Sequence, residues 1–265
     1  MPSGRNEDWA VATADFAFVL DGFDAPAGAD LSDSGCRHGV VWHVRHLGSR
    51  LLHRMATGDG RRLATILSDC IEDVAELHWD TCDLTHAGGP AASVAVVRTR
   101  GRSLDYLVLG GTTVLLDDAG AVEAVVDERI DAFGRQQRAA LAEYPLGTAA
   151  HSEKVQDYLG ELRWHRNTSG GYWLAAADPT AARQAVTGTV PRARIRSAAL
   201  LSGGAGRLVR FGLQDWPGVL DLLTAAGALA LIEHVRTAER SDASGRLWPR
   251  TKAFDDATAI LCRPG

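Results

Sequence analysis

The sequence predicts an α+β fold, and three observations carry that reading. Apolar runs of strand length cluster near the start, in the middle and at the end of the chain. Two stripes of helical spacing stand together between the first and second clusters. Further helices gather in the second half rather than alternating singly with strands. Segregated runs of this kind favour α+β over a doubly wound parallel sheet.

Taken in order, Trp9-Ala10-Val11-Ala12 and Phe16-Ala17-Phe18-Val19-Leu20 read as two strands, the second ending on Asp21-Gly22. A polar loop rich in Gly, Pro and Asp follows from Phe23 to Gly39. Val40, Val44, Leu47, Leu51 and Met55 recur at spacings of three and four and so share one helical face. After the break at Thr57-Gly58-Asp59-Gly60, Leu63, Ile66, Leu67, Cys70, Val74 and Leu77 repeat the pattern. Ala92 to Val97, Leu104 to Leu109, Thr113 to Leu116 and Ala121 to Asp127 are strand-like. Phe133 to Trp164 is helical but interrupted at Pro145 and Gly147. Asp178-Pro179 opens a short helix, with Asp as its cap and Pro in its first turn. Arg194 to Leu201 is a strand ending on Ser202-Gly203-Gly204. Helices are expected over about Trp216 to Ala226 and Ala228 to Ser241, and a last strand through Ala257 to Cys262. No repeat or linker divides residues 1–265, so one domain is expected.

Composition narrows the classes of function. The net charge of −5 argues against a nucleic-acid surface, which needs a basic stripe. No apolar run approaches the roughly 18 residues that cross a bilayer, and the first residues lack a signal-peptide pattern. Cys36, Cys70, Cys82 and Cys262 form no compact framework, which suits a reducing, cytoplasmic setting. Richness in Ala, Gly and Arg with little Lys suggests a GC-rich bacterial source.

Acidic residues flank the strands where this layout would gather them. Glu7-Asp8 precedes the first strand, Asp21 ends the second and Asp255-Asp256 precedes the last. Singly, such residues are usually loop caps. As an ordered set, Asn6-Glu7-Asp8, Val19-Leu20-Asp21-Gly22 and Asp255-Asp256-Ala257-Thr258 resemble signature segments of the metal-dependent protein phosphatase 2C family, and Gly35-Cys36-Arg37-His38 with His78 and Cys82 resembles a pattern of its actinobacterial branch. The resemblance covers nearly the whole chain. It implies a four-layer αββα sandwich, two antiparallel sheets flanked by helix pairs, with an acidic corner for two Mn²⁺ or Mg²⁺ ions. Hard oxygen ligands suit such ions, which generate a nucleophilic water and steady a phosphoryl transition state. By this resemblance Asp21 is the bridging catalytic carboxylate and Gly22 offers its carbonyl. Glu7 or Asp8 serves one metal, and Asp255 helps to hold the other.

Departures from the family pattern are as informative. Leu109-Gly110-Gly111-Thr112 stands where a Gly-Asp-Ser segment is usual, and Leu201-Ser202-Gly203-Gly204 where Ser-Asp-Gly is usual. Gly203 thus replaces a carboxylate of the two-metal core, and Gly111 one of a weaker further site. The family's phosphate-binding Arg falls at Ser3, and Arg5, nearby but out of register, is the catalytic candidate to take its place. One ion is therefore expected rather than two. The expected activity is an attenuated phosphohydrolase acting on a phosphorylated protein or small phosphoester. The alternatives are a pseudophosphatase that binds or regulates, and a repurposed pocket in which Cys36 or His38 takes part. Cys36, His38, His78 and Cys82 could also supply zinc, His78 and Cys82 sharing a face if their helix runs so far. Packing contacts are the simpler account of these four.

Overall fold

A computed structural model describes residues 6–23, 34–58 and 60–263. Among the described residues nine strands form two antiparallel sheets. β1 (Asp8–Ala12), β2 (Phe16–Phe23), β3 (Ala91–Arg100), β4 (Ser103–Leu109) and β7 (Val186–Pro191) make one, in the order β1-β2-β3-β4-β7. β5 (Thr113–Asp118), β6 (Ala121–Val126), β8 (Ile195–Leu201) and β9 (Ala259–Cys262) make the other, in the order β6-β5-β8-β9.

Strand alternation explains the layers. Phe16, Phe18 and Leu20 of β2 point to one side, where they pack with Val44, Leu47 and Leu51 of α1 (Gly39–Ala56) and Ile66, Leu67 and Ile71 of α2 (Leu63–Glu76). Ala17 and Val19 point to the other side and meet Val114, Leu116, Ala198 and Leu200 of the second sheet. The outer face of that sheet, through Leu115, Ala199 and Leu201, is covered by α6 (Arg207–Arg210) and α7 (Trp216–Ser241). Three apolar interfaces between four layers are the αββα arrangement. At about 2 kcal/mol for each large buried aliphatic side chain, these interfaces dominate the stability of the fold.

The helical region between the sheets' strands divides into α3 (Arg129–Phe133), α4 (Arg135–Ala140) and α5 (Ala149–His165), the break falling at Pro145 and Gly147 as expected. Asp178 caps its short helix by accepting from the Thr180 amide at 2.8 Å. α7 has enough length and apolar character to suggest a membrane span by composition. At Gly227, however, φ is +83° and the helix breaks into the two pieces that the sequence predicts. Val219, Leu220, Leu223, Leu231 and Val235 from both pieces are buried on the sheet.

β7 is an element the sequence reading missed. Gly188 and Pro191 look like turn residues, yet Pro suits an edge strand and β7 pairs only with β4. A Cβ at Gly188 would lie 2.3 Å from Tyr106 Cζ, so only glycine admits that ring.

One buried histidine makes the fold pH-dependent. His43 on α1 is 2% exposed, and its Nε2–H donates to the Ala175 carbonyl at 2.9 Å. Burial holds its pKa down at about 4, against the opposing pull of that carbonyl. The unfolded chain therefore takes up this proton near pH 6.5 and the folded one only near pH 4. His43 should thus remove about 3 kcal/mol of stability as pH falls through that window. Asp8, discussed below, works in the opposite sense over part of the same range. The His43 contribution is therefore read as the difference between wild type and His43→Gln, which keeps a donor for Ala175. Urea titrations at pH 7 and pH 4 should show a smaller acid loss in the variant.

Candidate metal centre

The same alternation that builds the core aims the acidic residues. Asp21 continues the stripe of Ala17 and Val19, so it faces the second sheet. Asp8 continues the stripe of Ala10, and β1 pairs with β2 so that Asp8 lies directly opposite Asp21. The seating of β1 depends on Gly48 of α1. A Cβ there would lie 1.7 Å from the Trp9 ring, so the glycine lets Trp9 lie flat against the helix. Glycine in a helix interior costs up to about 1 kcal/mol relative to Ala, and here it fixes the strand that carries Asp8.

The second sheet brings the other half of the corner. Ser202 at the end of β8 donates its amide to the Thr258 carbonyl at 2.9 Å, and its Oγ accepts from the Thr258 amide at 2.9 Å. That tie lays Gly203-Gly204 against Asp255-Asp256. A Cβ on Gly204 would fall 1.9 Å from the Asp256 carbonyl oxygen, so this approach requires glycine. Asp256 Oδ2 accepts from the Glu7 amide at 2.8 Å and closes the ring from β9 back to β1. Gly22 is equally constrained, since a Cβ would lie 2.8 Å from both the Glu7 carbonyl oxygen and Val40 Cγ2.

The structure thus assembles Glu7, Asp8, Asp21, Gly22, Gly203 and Asp255 into one corner between the sheets. Arg5 lies outside the described residues. Gly111 lies beside Ser93, whose Oγ accepts its amide at 2.9 Å.

Electrostatics divides the corner into two ends. Asp21 accepts the Gly203 amide at 2.6 Å. Burial, then the charges of Asp8 and Asp255, push its carboxyl well above the usual range, and the Gly203 N–H opposes them only in part. Asp8 is pushed up to about 6, chiefly by burial, with the hydroxyls of Thr258 and Ser202 acting the other way. Those hydroxyls lie beside Asp8, but both its carboxylate oxygens are buried with no hydrogen bond of ordinary geometry. At the other end, Asp255 Oδ2 accepts from Arg207 Nη2 at 3.0 Å, and Lys252 Nζ lies 3.8 Å from Oδ1. Lys252 also reaches Glu7 Oε2 at 3.1 Å. Burial alone would lower the lysine pKa, but Asp255, Glu7 and Asp21 together raise it.

Among the described residues no group of three or more His, Cys, Asp or Glu side chains converges as a ready metal set. The donor chemistry nevertheless fits one hard cation at the Asp8–Asp21 end, where both Asp8 oxygens are buried without a hydrogen-bond partner. It does not fit a second ion at the Asp255 end, whose oxygens already face a guanidinium and an ammonium. The sequence reading named the carboxylates and missed Lys252 and Arg207. Lys252 stands three residues before Asp255, a spacing that signals nothing without the loop's path.

The cysteines and histidines gather elsewhere. α2 ends at Glu76, so the condition under which His78 and Cys82 would share a face of it is not met. Gly35 and Asp83 are joined by a backbone hydrogen bond of 2.9 Å, and the His38 and His78 rings meet edge to face with centroids 5.7 Å apart. Trp42 stacks on His38 at 4.4 Å. Burial pushes the Cys36 thiol up, with Cys82 beside it. His78 Nδ1–H donates to the Val74 carbonyl at 2.8 Å.

This architecture is that of the PPM-type serine/threonine phosphatases. The catalytic domain of the serine/threonine protein phosphatase PstP in complex with two manganese ions is 13% identical, with a TM-score of 0.54 over 98% of this chain and 92% of that one. The Mycobacterium tuberculosis phosphatase PstP/Ppp gives 13% identity and a TM-score of 0.52 over 98% and 93%. MsPP of Mycobacterium smegmatis, in complex with cacodylate, gives 14% and 0.52 over the same shares. Likeness at this identity establishes the shared fold. No protein-family model and no curated protein matches the sequence.

Proposed function

We propose that the chain is a Mn²⁺- or Mg²⁺-dependent phosphohydrolase of the phosphatase 2C type with attenuated activity. Its substrate on this reading is a phosphoserine or phosphothreonine protein or a small phosphoester, met in the cytoplasm. The observation that carries the proposal is the half-buried carboxylate pair Asp8 and Asp21, held opposite each other on β1 and β2, with both Asp8 oxygens shut off from solvent. Burying such a pair is costly unless a cation compensates it. A bound divalent ion would polarise a phosphoryl oxygen and activate water. Asp21 and Asp8 would hold that ion, with Gly22 offering its carbonyl and Glu7 a contact direct or through water.

The second reading, a pseudophosphatase that binds or regulates, is favoured by Gly203 and by the cations on Asp255. Turnover separates the two. Hydrolysis of p-nitrophenyl phosphate and of a phosphothreonine peptide should be measurable with Mn²⁺ and vanish in chelator. Absence of turnover with Mn²⁺ bound would favour the binding module.

A further inference from the structure

We propose that Lys252, supported by Arg207, is a built-in cation of the carboxylate corner that takes the place of a second divalent ion. The inference deepens the metal-centre reading and rests on it for the identity of the ion excluded. Lys252 bridges the two sides of the corner: its ammonium lies 3.1 Å from Glu7 Oε2, at the start of β1, and 3.8 Å from Asp255 Oδ1, on the approach to β9.

Arg207 holds the other Asp255 oxygen at 3.0 Å and is 3% exposed. Its position is fixed from behind. Arg207 Nη1 donates to Glu239 Oε1, and Arg236 Nη1 donates to Glu239 Oε2 at 2.6 Å. Arg236 Nη2 also donates to the Asp255 carbonyl. The guanidinium is therefore anchored by a buried network, unlike an exposed side chain that could swing clear of an arriving ion. An exposed ion pair contributes little, but Lys252 stands among several carboxylates at once.

One Asp255 oxygen thus accepts from Arg207 and the other lies 3.8 Å from the Lys252 ammonium, on the side where Gly203 offers no carboxylate. The loss of negative charge at Gly203 and the presence of positive charge at Lys252 point the same way. A second ion entering at Asp255 would have to displace an ammonium and a fixed guanidinium. An ion at Asp8 and Asp21 displaces neither.

The test compares wild type with Lys252→Met, which keeps the apolar stem, and with Lys252→Arg, which keeps the charge. Mn²⁺ stoichiometry and affinity are read by calorimetry, and melting temperature is read in chelator. The expected result is one ion for wild type and Lys252→Arg. Lys252→Met should take a second ion, or bind at least tenfold more tightly, and should melt lower in chelator because its carboxylates lose their cation. If Lys252→Met binds one ion with unchanged affinity and melts as wild type does, the proposal is overturned while the metal centre stands. If neither protein binds Mn²⁺ but Lys252→Met melts lower, the metal reading falls and the built-in cation survives. No binding together with unchanged melting would overturn both. Lys252→Gln repeats the comparison should the methionine variant not fold.

Discussion

Asp21→Ala is expected to abolish Mn²⁺ binding, lowering affinity by more than about 100-fold while the chain stays folded. Loss of an outer-shell partner alone costs roughly 10–100-fold in affinity, and on the proposed reading Asp21 is a direct ligand. The fold should tolerate the change because two effects oppose. Removing Asp21 leaves the Gly203 N–H without its acceptor, which costs about 1–3 kcal/mol for a buried donor. It also relieves the repulsion and desolvation that push the Asp8 and Asp21 carboxyls upward. Melting in chelator should therefore move by only a few degrees. Asp21→Asn, which keeps an acceptor for Gly203, should lose the ion and melt at or above wild type. Equal Mn²⁺ affinity of Asp21→Ala and wild type would make Asp21 a loop residue.

Gly203→Asp is expected to have the largest effect in the opposite direction. A Cβ at this position lies 3.0 Å from Asp21 Oδ2 and 3.5 Å from the Gly111 carbonyl oxygen, so Asp21 must yield by a few tenths of an ångström. The backbone is not in the left-handed region at Gly203, so no strain of that kind opposes the substitution. The introduced carboxylate should tighten a second ion at least tenfold and raise phosphoester hydrolysis. It should also lower melting in chelator, since it adds negative charge beside Asp21. Arg210, whose Nη2 lies 4.0 Å from the same Cβ, is positioned to compete for it. Because Lys252 guards the same end, Gly203→Asp combined with Lys252→Met should exceed the sum of the single effects, as expected of groups in contact. A Gly203→Asp protein that binds two ions and gains no turnover would show an altered substrate cleft and favour the binding-module reading.

Much of the architecture could be read from residues alone because its periodicities are clean. The Val40–Met55 and Leu63–Leu77 stripes mark α1 and α2 to within a residue or two, and Gly227 was placed correctly between two helices. β7 escaped because an edge strand needs no apolar run, and Thr187, Gly188 and Thr189 carry no period-2 signal. Of the corner, the carboxylates were visible because Asp21-Gly22 and Asp255-Asp256-Ala257-Thr258 are local patterns at strand ends. The cations were not. Arg207 and Lys252 reach Asp255 from a short helix and a loop, and no sequence spacing reveals that both reach the same carboxylate. The glycine constraints at Gly48 and Gly204 are likewise tertiary, each set by a neighbour distant in sequence.

The most direct measurement is the anomalous difference density at the manganese absorption edge from crystals grown with Mn²⁺. The account predicts one strong peak within metal–oxygen distance, about 2.0–2.6 Å, of carboxylate oxygens of both Asp8 and Asp21, with Lys252 still on Glu7. A peak centred instead on Asp255 with Lys252 displaced, or no peak in the corner at saturating Mn²⁺, would contradict it.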